Sequence, residues 1–447
     1  MQSRGNPIMQ TGMERIAAKA RSNANLKFTS LAHHITKELL WESLSHINNS
    51  SARGVDEVDV KEARESFDTW ADEVISRIHR KSYTPPPVRR VWIPKPGKNE
   101  KRPIGVPTVI DRTVQRSVAN ILSSIYEQDF QNCSYGGRPG RGAHNALVTL
   151  DRIIASRKVS RVLEADLKNY FGSLSHEWVM KFMEHRIGDP RILKLIKRWL
   201  KAGVIENGQF TDTEIGTPQG GSISVLISNV YLHYVLDLWF EKVVKPKLKG
   251  EAFLVRYIDD FVVCFQFNAD AILFQEVLKK RLAKFELNLE PNKTRLIEFG
   301  RFAQIDAIKR GKKPSTLYFL GFTHYCTRNL KGNFMIGRRT EKTRLKRSLV
   351  KLRELMNDNM HLSLKEQTKR INQVLTGHYN YYGIAGNTSS ITKVYRLVQR
   401  YWKTVLGKRC WKGTLSWERY SQLLKLFPIK RPKLKITYAN WSQYAML

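Results

Sequence analysis

Apolar residues recur at helical spacing near the start of the chain, at Ile35, Leu39, Leu40 and Leu44 and again at Phe67, Trp70, Val74 and Ile78. That periodicity predicts helices, interrupted at Asn48-Asn49-Ser50-Ser51 and at Arg53-Gly54-Val55-Asp56. Pro85-Pro86-Pro87 ends the region, because consecutive prolines hold an extended path and donate no backbone hydrogen bonds. The pattern then changes. Short β-branched and apolar runs at 88–93, 161–167 and 253–265 predict strands, and helical spacing returns over 114–130, 176–201 and 222–245. Strands alternating with helices predict a mixed α/β body rather than a bundle or a sandwich. Beyond about residue 340 only helical spacing remains, as at Leu345, Leu349, Leu352 and Leu355. A helical domain therefore follows the α/β body.

Composition narrows the picture. The 447 residues suffice for about three domains of ~100–200 residues each. With 42% hydrophobic and 10% aromatic residues, the chain can build real cores, so disorder does not explain its net charge of +36. A patterned, strongly basic protein points to a polyanion, either nucleic acid or a membrane surface. No run approaches the ~18 apolar residues of a membrane span, and the first ten residues lack a signal core. Cys133, Cys264, Cys326 and Cys410 lie far apart, which argues against a zinc ribbon, a zinc-type endonuclease module or a disulfide scaffold. The expectation is a cytoplasmic protein with nucleic acid as partner and no membrane, nucleoid-associated when it acts on DNA. The last 107 residues carry 22 Lys+Arg against 5 Asp+Glu, or +17. They interleave that charge with Tyr379, Tyr381, Tyr382, Trp402, Trp411 and Trp417. The basic groups suit phosphates, while the rings either stack on bases or fill the core.

The candidate chemistry lies in acids set among apolar residues. Arg256-Tyr257-Ile258-Asp259-Asp260-Phe261-Val262-Val263 reads as a hairpin whose tight turn carries both aspartates, since a buried strand excludes unpaired charge. Val162-Leu163-Glu164-Ala165-Asp166-Leu167 places another acid in similar surroundings. If the two strands are neighbours, Asp166 and Asp259 meet at one sheet end. Carboxylates crowded there repel unless a divalent cation holds them, and hard oxygen ligands suit Mg²⁺, with Mn²⁺ as a substitute. Two such ions ~3.5–4 Å apart serve phosphoryl transfer. Taken singly, an Asp-Asp pair is more often a surface turn; the combination shifts the balance. Lys95 and Arg102 flank Pro96-Gly97-Lys98, a hairpin that would set both cations toward a triphosphate. Gly216-Thr217-Pro218-Gln219-Gly220-Gly221-Ser222 opens a helix, and its glycines allow a ligand to approach the backbone. Tyr318-Phe319-Leu320-Gly321-Phe322 reads as an aromatic turn.

In order, these blocks resemble the reverse transcriptases of the group II intron type. Thr217-Pro218-Gln219-Gly220 is similar to that family's nucleotide-pocket motif, and Tyr257-Ile258-Asp259-Asp260 to its Tyr-x-Asp-Asp box. Leu289-Glu290-Pro291-Asn292-Lys293-Thr294-Arg295 and Phe319-Leu320-Gly321-Phe322 resemble its later palm and primer-grip blocks. Tyr135 to Gly140 resembles its Ser-Tyr-Gly-Phe-Arg-Pro-Gly block, with Gly137 in place of Phe. The region before residue 80, including Arg53-Gly54-Val55-Asp56, resembles its N-terminal extension and loop, and Leu375 to Gly383, with Gly377 and the Tyr cluster, its helical thumb (maturase X) segment. The resemblance implies an α/β right-hand polymerase with four parts: an N-terminal extension over 1–84, fingers over 85–160, a palm over 161–335 and a helical thumb over 336–447. It implies Asp166, Asp259 and Asp260 as the catalytic, metal-binding triad. Lys95, Arg102, Phe171, Gln219 and Gly220 would bind the deoxynucleoside triphosphate, with Phe171 as steric gate against the ribose 2′-hydroxyl. Tyr257, Ile258, Lys293, Leu320 and Gly321 would contact primer and template. The implied partners are RNA and DNA template–primer duplexes and deoxynucleoside triphosphates; a homodimer is not derivable from the sequence.

Two departures refine the expectation. The family usually has Ala where Ile258 stands, and no Cys-x-x-Cys pair or long tail follows the thumb. That pattern resembles enzymes domesticated for a host role in double-strand break repair, annealing and extending short microhomologies. The alternatives are an intron-encoded maturase and retrohoming polymerase, a purely RNA-binding maturase, or an RNA-directed RNA polymerase. The retained triad argues against RNA binding alone, and Phe171 against ribonucleotide synthesis.

Overall fold

A four-stranded antiparallel sheet divides the molecule into two hydrophobic cores. The computed structural model describes residues 7–94, 100–206, 209–212, 215–217, 221–409 and 413–446. Its strands, in chain order, are β1 (Val88–Pro94), β2 (Lys101–Val106), β3 (Arg161–Asp166), β4 (Val204–Glu206), β5 (Gln209–Thr211), β6 (Ala252–Tyr257), β7 (Asp260–Phe265), β8 (Arg295–Glu298), β9 (Thr316–Phe319), β10 (Phe322–Arg328) and β11 (Phe334–Thr340). The dividing sheet has the order β6-β7-β3-β8. Alternate residues of its strands point to opposite faces. Leu163, Ala165, Phe261, Val263 and Phe265 enter one core; Val162, Val262 and Cys264 enter the other. A sheet covered on both faces needs near-continuous apolar strands, which is why 261–265 reads as an unbroken run.

The first core also takes Leu39, Leu40, Trp70 and Ile78 from the N-terminal helices and Val114, Ile121 and Ile125 from the helix Val109–Asp129. The second unites the helix Ala143–Ser156 with Leu352, Leu375, Val398 and Trp402 of the basic helices. In that region Tyr379, Tyr382 and Trp402 are buried, so these rings fill core, whereas Trp417 is exposed under the Lys403 ammonium, 4.8 Å from its ring. Trp411 lies outside the described residues.

Three expectations about elements need correction. The stretch 176–201 is two helices, His176–Glu184 and Pro190–Leu200. Asp189 caps the second and Pro190 occupies its first turn, a position where the missing N–H costs nothing. The stretch from 222 is α-helical to Leu232 and then passes through π-helical turns at His233–Asp237 and Phe240–Val244. By length and composition Ser222–Lys247 is apolar enough to cross a membrane, yet 78% of its most apolar window is buried here, as befits a core helix. Finally, β9, β10 and β11 form a three-stranded antiparallel sheet where the residue pattern suggests only an aromatic turn at 318–322. Thr323, His324 and Arg338 are buried in it, and those polar side chains hide the alternation by which strands are recognised.

Asp189 also joins the N-terminal helices to this body. Its carboxylate accepts the backbone N–H groups of Leu31 (2.7 Å) and Ala32 (2.9 Å) as well as that of Arg191 (2.9 Å). Asp189→Ala leaves buried donors unpaired and removes a cap, so it should cost about 2–4 kcal/mol in urea unfolding. A loss below about 0.5 kcal/mol, the scale of a surface substitution, would contradict this role.

Candidate active site

The turn between β6 and β7 is two residues long. Tyr257 pairs with Asp260, leaving Ile258 and Asp259 to make the reversal. Ile258 adopts φ +59°, a left-handed conformation that is a genuine outlier for a β-branched side chain. The space around it is closed: a Cβ added to Gly136 would sit 2.6 Å from Ile258 Cγ1 and 2.8 Å from its nitrogen. Asp260 is therefore the first residue of β7 rather than part of the turn, and it lies directly opposite Asp166 of β3. The expected meeting of β3 and the Asp-Asp hairpin is realised, with Asp260 as the in-register partner and Asp259 projecting from the adjoining turn.

Crowding changes the chemistry of these acids. Burial, then the charges of Asp166 and Asp259, push the Asp260 carboxyl up to about 7. Asp259 is raised too, by burial first and then by Asp166, against the opposing charges of Lys293 and Arg102. Lys293 forms an ion pair with Asp166. Among the described residues no three Asp, Glu, His or Cys side chains form a ready-made chelate. What the structure provides is a hard-oxygen donor set whose members repel one another despite the nearby charges of Lys293 and Arg102, which fits a divalent cation such as Mg²⁺.

Around these acids stand the other expected residues that the structure describes. Phe171 occupies a short 3-10 turn after β3, half-buried and edge-on to Tyr170 (5.4 Å). Its carbonyl accepts the Thr217 amide at 2.8 Å. Gly216, at φ +89°, crosses so close that a Cβ would lie 2.9 Å from the Phe171 oxygen and the Gly172 Cα. The loop leading to the expected nucleotide motif thus lies against Phe171, the expected gate. Arg102 pairs with Ile93 in the antiparallel β1–β2 hairpin, and its charge reaches Asp259. Lys95, Gln219 and Gly220 lie outside the described residues. Leu320 and Gly321 make the β9–β10 turn, both at positive φ, and Asp260 hydrogen-bonds with the Leu320 backbone. Tyr257 is half-buried beside the turn.

Several residues of the surroundings were not singled out from the sequence. The buried Glu164 ties β3 to Arg295 of β8 (2.8 Å to Nε) and accepts the Tyr318 amide of β9. Its place two residues before Asp166, on the same strand face, is a signal that period-two reading could have used. Tyr381 donates to the Leu320 carbonyl at 2.9 Å, so a basic-domain helix supports the turn next to Asp260. No local pattern marks that long-range contact.

The raised Asp260 carboxyl has a measurable consequence. Its folded value of about 7 exceeds its ordinary 3.8, so the folded chain binds more protons than the unfolded one between those values, and stability falls as pH rises across that window. Without divalent cations, Asp260→Asn should raise the melting temperature more at pH 8 than at pH 5, with the gain levelling off above pH 7. An equal gain at both pH values would show that Asp260 ionises normally.

Comparison with known proteins agrees with this geometry. Residues 93–324 match the family "Reverse transcriptase (RNA-dependent DNA polymerase)", and residues 345–424 match "Group II intron, maturase-specific domain". The chain is similar to the group II intron-encoded protein LtrA of Lactococcus lactis subsp. cremoris, 34% identical over 238 residues that cover 51% of this chain and 38% of LtrA. It is also similar to protein YkfC of Escherichia coli K12, 35% identical over 255 residues covering 55% of this chain and 66% of YkfC. An uncharacterised 91 kDa protein in a cob intron of Schizosaccharomyces pombe is 32% identical over 170 residues, 38% of this chain and 21% of that protein. The match thus spans less than two thirds of each of these relatives. With more than half of its own length matched, Asp260 facing Asp166 across β3 and β7 and Asp259 in the adjoining turn, the chain belongs to the reverse transcriptase family and carries a group II intron maturase-specific domain.

Proposed function

We propose that this protein extends a primer 3′ end with deoxynucleotides on an RNA template, and on DNA as well. The observation that carries the reading is the convergence of Asp166, Asp259 and Asp260 at one sheet end, where two of the three carboxyls are held above their ordinary range. Mg²⁺ ions held there, or Mn²⁺ in their place, would activate the primer hydroxyl and neutralise the leaving pyrophosphate. The chain's own groups do the rest. Arg102, on the β1–β2 hairpin, adds positive charge on the triphosphate side. Lys293 holds Asp166 in place by its ion pair. The Phe171 ring beside Gly216 limits room at the sugar, which supports selection of deoxynucleotides. The backbone turn at Leu320 and Gly321, supported by Tyr381, would seat the primer end next to Asp260.

The biological role proposed is repair of broken DNA by annealing and extending short overlaps. Its support is Ile258, whose side chain occupies the space against Gly136 and adds bulk beside the primer end. A second reading, an intron-encoded maturase and retrohoming polymerase, is favoured by the maturase-specific match over 345–424. In both, the +17 of the last 107 residues would hold duplex phosphates, so affinity should fall by about 0.9 log unit per log unit of salt for each phosphate neutralised on duplex DNA.

Primer extension on RNA, DNA and short-overlap DNA tests these readings together. Asp259→Asn should reduce extension by more than about a hundredfold, since even supporting groups around a metal are worth 10–100-fold; retained extension would remove the triad from catalysis. Phe171→Ala should admit ribonucleotides. Ile258→Ala should shift the balance from short-overlap extension toward long synthesis, and an unchanged balance would sink the repair role.

A further inference from the structure

Behind the acid-bearing turn lies a charge where the fold should tolerate none. Arg256 and Asp237 have no exposed side-chain surface and form an ion pair, Nε to Oδ1 at 2.7 Å and Nη2 to Oδ2 at 2.6 Å. The remaining donors of the guanidinium are all engaged. Nη1 donates to Asn229 Oδ1 (3.1 Å) and to the Ile258 carbonyl (2.8 Å), and Nη2 donates to Ser134 Oγ (2.8 Å). Every one of the five N–H groups an arginine owns is therefore used. Asn229 in turn donates to the Gly136 carbonyl at 2.8 Å, the residue packed against Ile258. Asp237 reaches the cluster because the helix from 222 changes to a π-helical turn over His233–Asp237; a π turn shifts the helix face and is frequent at functional sites.

Such a pair is poorly explained by stability. Replacing a buried ion pair with apolar residues of similar volume is often neutral or stabilising. What apolar residues cannot do is hold a carbonyl, and the carbonyl held here belongs to Ile258, the residue at φ +59° that aims Asp259. A lysine would not substitute, because its ammonium is a single point charge without the guanidinium fork. We propose that Arg256 and Asp237 are positioning residues that clamp the Ile258 carbonyl and so set Asp259 beside Asp260 and Asp166 for divalent-cation binding. This rests on the polymerase reading for its purpose, but its geometry and its test do not.

The test is equilibrium binding of Mn²⁺, followed by electron paramagnetic resonance on the full chain without nucleotide, alongside thermal unfolding and primer extension. The double variant Arg256→Met/Asp237→Leu removes the charge pair as a unit and should unfold close to the wild-type temperature. Its Mn²⁺ affinity should nevertheless fall about 10- to 100-fold, the range for losing an outer support of a metal site, and kcat should fall with the Kd for primer–template unchanged. Arg256→Lys serves where the double variant does not fold, and it should show the same loss. A folded variant of either kind with Mn²⁺ affinity within twofold of wild type overturns the clamp. If the wild type binds Mn²⁺ but extends no primer, the polymerase reading fails while the affinity comparison still decides the clamp.

Discussion

Mutual repulsion among carboxylates at one end of a sheet is the constraint on which this structure turns. Asp166 and Asp260 face each other across neighbouring strands, and Asp259 adjoins them from the turn. Water would relieve that repulsion if the residues were free to move apart, but the strands that carry them are locked between two cores. Leu163 and Phe261 are held on one side, Val162 and Val262 on the other. The hydrophobic burial on both faces stabilises an arrangement that the acids by themselves would abandon. A raised Asp260 carboxyl is the visible cost of that arrangement, and affinity for a divalent cation is its proposed use.

Other features follow from holding that end of the sheet still. Glu164 fastens β3 to β8 and β9, Tyr381 fastens the β9–β10 turn, and the Arg256 cluster fastens the β6–β7 turn. Each is a polar group taken from solvent and fully or largely satisfied by partners far away in sequence. Such networks contribute little net stability but specify one geometry where packing alone would allow several. The basic helical domain therefore does two things at once: its outer charge suits phosphates, and one of its inner tyrosines supports the backbone next to Asp260.

What is legible in the sequence follows the same division. Acids inside apolar runs draw the eye to Asp166, Asp259 and Asp260, but singly each reads as a turn or strand-end acid, and it is their combination with the other ordered blocks that marks them. Period-two and period-3.6 patterns place the strands and helices around them. Boundaries fail where a long-range partner decides the matter. Asp189 caps the start of the helix Pro190–Leu200 while its carboxylate serves Leu31 and Ala32, more than 150 residues earlier in the chain. The β9–β11 sheet escapes the pattern because Thr323, His324 and Arg338 are buried there as polar residues. Arg256 and Asp237 look like a strand-end base and a helix acid; their pairing, at the end of a π turn that has no sequence signature of its own, is visible only in the fold.

The central claim is that three crowded carboxylates act as one divalent-cation site. Calorimetric titration of the full chain with Mg²⁺ at pH 7, repeated in buffers of different ionisation enthalpy, counts protons released on binding. A carboxyl raised toward neutrality must give up its proton as the ion arrives, so the account predicts proton release at pH 7 that shrinks to almost none at pH 9. It also predicts that Asp260→Asn reduces the release. Mg²⁺ binding with no proton release at pH 7, or release undiminished in Asp260→Asn, would contradict it.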